Sequence, residues 1–431
     1  MERNWKFGTL VAVLALALAA CGGGGDQADE GGDGGETAGG ETAGGETAGG
    51  ETAGGETAGG ETTGGETAAS GEPIVIGALF DLSGATSDIG VPYAEGIQAY
   101  AEWRNANGGI NGRQIELNGN DYAYEVPQAE QLYSQYVSEG AVAVQGWGTG
   151  DTEALRTKIA QDEIPFMSAS YSEDLADPAE APYNFVAATT YSDQMRIALK
   201  YIAEQAGGEH VEVAVFHHDS PFGESPLEDG RSYIEEEGLD IGYETYAMPS
   251  GATDYVGQLS QAQQQGAEYI VVQNVTSPGA QLARDIAGQG LDAQLFCLNW
   301  CGDEIFVDLA GDAAEGTLGV LPWAPPQQAE GLDDVTSYLE SEGQTLEDVG
   351  LHFTQAWFTM AVMAQGIENA MASGEVTGPA IKEALEEMGS FETPVSVPIE
   401  FSAESHAGME GARVYQVEDG TWTPITDSLT P

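Results

Sequence analysis

From residue 73 onward the chain alternates short apolar runs with amphipathic stretches, and it does so twice in the same order. The first run, Ile74, Val75, Ile76, Gly77, Ala78, Leu79 and Phe80, has no polar side chain, the pattern of a strand covered on both faces of a parallel sheet. A loop at 81–84 and an amphipathic stretch at 93–104 follow it. Next come strands near 114–117, 141–145 and 165–169, with helices near 128–138 and 152–161 between them. After residue 191 the order repeats, with strands at 211–216, 241–247, 269–273 and 294–298 and helices at 225–237, 255–265 and 279–288. Strand and helix alternating over short connections build doubly wound sheets, so two such series predict two α/β lobes rather than one long sheet. Helices at 353–372 and 378–388, and late strands near 397–401 and 412–417, are expected to add to these lobes.

The residues ahead of this region have a different physics. Arg3 and Lys6 precede an apolar run at 7–20 that ends at Cys21, too short for a permanent span but suited to a signal peptide. Leu18-Ala19-Ala20-Cys21 resembles a bacterial lipobox, which implies acylation of Cys21, export and a lipid anchor in the membrane. Residues 22–72 are Gly, Glu, Thr and Ala, with Gly-Gly-Glu-Thr-Ala repeating almost unbroken from 34 to 68. Such a segment has little apolar surface to bury and evenly spaced like charges, so it reads as a disordered, extended tether.

Charge narrows the function further. The 431 residues carry 71 acids and 12 bases; 13 and 2 of these fall in 1–72, leaving 58 acids against 10 bases, net −48, in residues 73–431. Basic side chains this sparse cannot neutralise a phosphate backbone, which excludes a nucleic-acid binder. A surface so acidic is expected of a protein adapted to high salt, where counter-ions screen its self-repulsion.

In open α/β sheets ligands bind beyond the carboxyl ends of the strands. Here those ends carry Asp81, Asp121, Trp147, Ser170, Tyr171, His217, Asp219, Asn274, Thr276 and Trp300, which predicts a polar cleft with aromatic walls. The run Gly146-Trp147-Gly148-Thr149-Gly150 lies between a strand and a helix. Asp151 stands where a dinucleotide fingerprint needs its third glycine, and 166–172 holds no acidic residue for a ribose. The run suits either close approach of a small polar ligand to a helix N-terminus or a tight turn. Ser168, Ser170 and Ser172 end the next strand, where hydroxyls serve a ligand or simply form turns. His217 and His218 are adjacent on a strand and point to opposite faces, so no metal is expected. Cys297 and Cys301 are four apart and either pair locally or remain thiols. No nucleophile elbow and no His-Glu-x-x-His occurs, so neither an enzyme nor a cofactor is expected.

The lipobox, the tether, Ile74-Val75-Ile76-Gly77 with Ser83-Gly84, and Asn107-Gly108-Gly109-Ile110-Asn111-Gly112 together resemble the branched-chain amino acid binding proteins of ABC importers. Further matches are the segment 140–172 and Phe222-Gly223 after His218-Asp219. The resemblance implies a type I periplasmic-binding fold: lobe 1 from 73–189 and 321–396, lobe 2 from 190–320 and 397–431, three crossing strands as hinge, and a solute cleft between. It implies a monomer that hands its solute to a membrane permease. Carried over by position, Thr149, Gly150, Ser170 and Ser172 would hold a carboxylate in the first lobe, with Phe222, Asn274 and Thr276 closing from the second. The chain departs from the pattern at Asp151, where a hydroxyl is usual, and at Trp300, near the place of an acidic amine-binding residue. An anion at Asp151 would suit an amine or amide, and Trp147, Tyr171, Phe222 and Trp300 are expected to select the solute's side chain. The alternatives are a ligand-sensing module and a lipoprotein hydrolase.

Overall fold

The computed structural model describes residues 71–374 and 376–431. The expected signal peptide, Cys21 and the expected tether as far as residue 70 lie outside the described residues.

The chain builds lobe 1 first, in the order β1 (Ile74–Phe80), α1 (Ser87–Ala106), β2 (Ile115–Asp121), α2 (Val126–Ser138), β3 (Ala143–Gly146), α3 (Thr149–Asp162), β4 (Phe166–Ser168) and β5 (Asn184–Phe185). These strands form one parallel sheet in the order β2-β1-β3-β4-β5, with apolar β1 at its interior as expected. The chain then crosses into lobe 2: α4 (Tyr191–Ala206), β6 (Val211–His218), α5 (Pro221–Glu224), α6 (Leu227–Glu237), β7 (Ile241–Met248), α7 (Val256–Gln265), β8 (Tyr269–Gln273), α8 (Thr276–Gln289), β9 (Gln294–Cys297), α9 (Glu304–Ala310) and β10 (Leu318–Leu321). It returns to lobe 1 for α10 (Asp333–Glu342), α11 (Leu346–Ser373) and α12 (Gly378–Glu386), and ends in lobe 2 with β11 (Arg413–Glu418) and β12 (Thr421–Pro424). The second sheet runs β12-β11-β10-β9-β8-β6-β7, parallel except where β11 pairs antiparallel with both neighbours. In the middle of lobe 1, α11 packs along α1, burying Phe353, Ala356, Trp357 and Met360 against Tyr93, Ile97 and Tyr100.

Three crossings join the lobes: after β5, after β10 and before β11. Thr189 Oγ1 donates to Gly411 O (2.7 Å), and Val186 exchanges backbone hydrogen bonds with His406 and Gly408, so the first and third crossings run side by side. Two expectations are corrected here. The strand expected near 397–401 is absent; Phe391 and Ile399 exchange one pair of backbone bonds, and Pro398 in the middle of that span offers no N–H to extend the ladder. Ile399, Phe401 and Met409 belong to the core of lobe 1, and His406 stacks on Phe185 at 4.0 Å. The final return to lobe 2 therefore falls at about 410–412 rather than at 397.

Among the described residues no helix is long and apolar enough to cross a membrane.

Candidate functional site

The carboxyl ends of the two sheets face one another, and the lobes meet over a small, partly open cavity of about 20 Å³. Lobe 1 lines it with Thr86, Ile89, Tyr124, Trp147, Gly148, Thr149 and Ala169; lobe 2 adds Tyr191, Phe222, Val275 and Trp300. Among the described residues none of the lining side chains is charged, so an ion brought here meets only dipoles and aromatic faces.

Each wall is built by local chemistry. Asp81, fully buried at the end of β1, accepts from Thr86 N (2.9 Å) and Thr86 Oγ1 (2.7 Å), which turns the chain into α1. The indole Nε1 of Trp147 donates to the same Thr86 hydroxyl at 2.9 Å, so the loop after β1 orients the ring after β3. In lobe 2 the Trp300 Nε1 donates to Tyr191 OH (2.8 Å), and its ring stacks on Tyr171 with centroids 5.3 Å apart. Cys297 and Cys301 are joined by a disulfide whose sulfurs are wholly buried, and the bridge closes the short loop that carries Trp300.

The polar end lies at the start of α3. Thr149 and Ser170 share a hydrogen bond of 2.7 Å between their hydroxyls, beside a helix N-terminus whose first N–H groups lack helical acceptors. Asp151 is buried there, accepts from Tyr122 OH at 2.8 Å and lies against the backbone amides of Gly148 and itself. Gly148 is required by this approach, since a Cβ would stand 2.3 Å from Asp151 Oδ1. Burial raises the Asp151 carboxyl to about 7, and the Tyr122 hydrogen bond opposes that rise. The protein thus places its own carboxyl behind Gly148, facing Tyr122 rather than the cavity.

Of the residues expected to hold a solute, Trp147, Thr149, Phe222 and Trp300 line the cavity. Ser170 and Tyr171 stand directly behind Thr149 and Trp300. Ser172 takes part in a contact between lobes, accepting from Ser225 Oγ at 3.1 Å, and Gly150 faces Pro221 of lobe 2. Asn274 turns away to cap Val275 N and lines an open groove of about 510 Å³ at the cleft mouth. Thr276 donates to the Asp303 carboxylate at 2.5 Å and so supports the Trp300 loop from below. Reading the sequence missed Tyr191, Tyr124, Thr86 and Val275. Tyr191 opens α4 straight after the first crossing, and the Thr190 cap that accepts from Asp193 N was its only local signal.

Two α/β lobes joined by three crossings and meeting over an uncharged cavity define a solute-binding protein. Residues 73–421 match the model of the family described as Periplasmic binding protein, and the chain belongs to that family. It is 25% identical over 315 residues, 73% of this chain and 82% of the relative, to the leucine-, isoleucine-, valine-, threonine- and alanine-binding protein of Pseudomonas aeruginosa. A Leu/Ile/Val-binding protein homolog of Brucella abortus is 23% identical over 323 residues, covering 74% and 84% of the two chains. Among solved structures, a branched chain amino acid ABC transporter protein from Thermus thermophilus with bound valine matches with a TM-score of 0.79 and 26% identity over 84% of this chain and 97% of that one. A fatty acid ABC transporter substrate-binding protein from Thermomonospora curvata shares the fold at 0.75 and 16% identity, covering 84% and 93%. Family and fold are those of extracytoplasmic substrate-binding transport proteins, not of enzymes.

Proposed function

We propose that this chain captures an amino acid or a related small polar solute between its lobes and delivers it to the permease of an ABC importer, working as a monomer from a lipid anchor at Cys21. The observation that carries the reading is the cavity whose wall is shared by the two lobes, so that a bound solute and lobe closure stabilise one another. The Thr149–Ser170 pair at the α3 N-terminus suits the solute's carboxylate. Trp147, Phe222 and Trp300 suit an apolar side chain, and the faces of the two indoles offer an ammonium group a cation–π partner in place of a carboxylate. The amino acids named for the Pseudomonas and Thermus proteins support the same class of solute.

The test is a thermal-shift screen of the chain in high salt against amino acids, their amides, polyamines and small carboxylates. A solute at about 100 times its dissociation constant stabilises the closed form by roughly 2.7 kcal/mol, a shift of a few degrees. The solute is expected back chemically intact. Turnover of the solute would favour a hydrolase instead, and silence across all amino acids and amides would sink the proposed class.

A further inference from the structure

Next to Trp300, the two lobes meet through a buried polar contact whose residues do not line the cavity. Gly350, at φ +71°, interrupts α11, so that a fresh helical start faces lobe 2 at Leu351. The Glu304 carboxylate, on the first residue of α9, accepts from Leu351 N at 3.1 Å and thereby caps a lobe 1 helix from lobe 2. A Cβ at position 350 would stand 3.1 Å from Glu304 Oε2, so glycine leaves room for this approach. One residue on, His352 Nε2 meets Asp303 Oδ2 at 3.0 Å, with the two side chains only 2% and 1% exposed. Asp303 is held in turn by Thr276 Oγ1 and Phe306 N, and His352 Nδ1 by Gln355 Oε1 at 2.9 Å. The His352 ring lies 5.2 Å from that of Trp300.

We propose that Asp303 and Glu304 of lobe 2, with His352 of lobe 1, are positioning residues that hold the lobes closed and press Trp300 toward the solute, keeping a fraction of the protein closed even without solute. Both partners exist in the open form, but their contact does not, so its free energy acts wholly on the closed state. Burial alone would lower the His352 imidazole, but the hydrogen bond and charge of Asp303 more than offset it and hold it raised. Glu304 is raised by burial and then by the charge of Asp303. The charged groups facing the contact are these two carboxylates, with Asp88 of α1 near Asp303. Closure therefore binds protons, and the closed form gains as pH falls.

What the lobes close upon rests on the solute reading; whether they close does not. The experiment measures distances between spin labels at Glu125→Cys and Thr253→Cys, exposed positions after β2 and β7, in the full chain carrying Cys21→Ser. Without solute, the parent is expected to show a short-distance population that grows from pH 8 to pH 6. Glu304→Gln and His352→Gln are each expected to lower its closed-to-open ratio about tenfold, and His352→Gln to flatten the pH profile while melting curves stay cooperative. Adding L-valine tests the solute reading alone: a parent that ignores L-valine rejects that amino acid and leaves the solute-free result standing. A solute-free parent with no short-distance population, or variants matching the parent at every pH, would overturn the proposal.

Discussion

Trp147 and Trp300 belong to different lobes, yet their rings meet in the cavity wall with centroids 5.5 Å apart. Each indole is fixed from behind by a single hydrogen bond, to Thr86 and to Tyr191 respectively. The aromatic wall of the cavity is thus assembled only when the lobes come together.

Replacing Trp300 by Ala removes one wall of the cavity and its stack on Tyr171. Solute affinity is expected to fall at least about tenfold, since a buried aromatic contributes on the order of 3 kcal/mol or more. Titration calorimetry with whichever solute the screen identifies decides this, and an unchanged dissociation constant would remove Trp300 from the site.

Asp151 has an ordinary value of 3.8 and is raised to about 7 in the folded chain, chiefly by burial. Between those values the folded state holds a proton that the unfolded state has lost, so its contribution is full below about pH 4 and is lost as pH rises to about 7. The melting temperature is expected to fall between pH 5 and 8, with this one group costing about 2 kcal/mol across the range. Asp151→Asn should flatten that profile; an identical slope in both proteins would contradict the assignment.

The Cys297–Cys301 bridge closes a loop of five residues, for which the chain-entropy account gives about 2 kcal/mol. Serine at both positions is expected to lower the melting temperature by a few degrees and, because the loop carries Trp300, to weaken solute binding as well. Scanning calorimetry and a binding titration read the two effects separately. Loss of stability at constant affinity would show that the bridge does not position the ring.

The ten bases of residues 73–431 cannot pair more than a small part of its 58 acids, and several are already committed, Arg104 to Glu368, Arg196 to Glu173 and Asp193, and Lys382 to Glu386. Screening the remaining repulsion should stabilise the fold, so the melting temperature is expected to climb from low salt to molar sodium chloride. A flat or falling dependence would mean that the acidity carries no adaptation to salt.

The sequence alone determined the two α/β lobes, because uninterrupted runs such as Ile74 to Phe80 are stable only when covered on both faces, a constraint local enough to read along the chain. It also brought Trp147 and Trp300 to the cleft, since the carboxyl ends of parallel strands are where such a sheet opens, while Thr149 and Phe222 were placed there by the family resemblance. It did not show that Ile399 and Phe401 remain with lobe 1, because nothing local distinguishes a buried bridge around Pro398 from a strand. Only the tertiary structure turned Asp151 onto Tyr122, brought Tyr191 from the crossing into the cavity wall, and set His352 against Asp303 across 49 positions of chain. Those partners are chosen by burial and by the closing of one lobe on the other, and neither quantity exists until distant segments share a core.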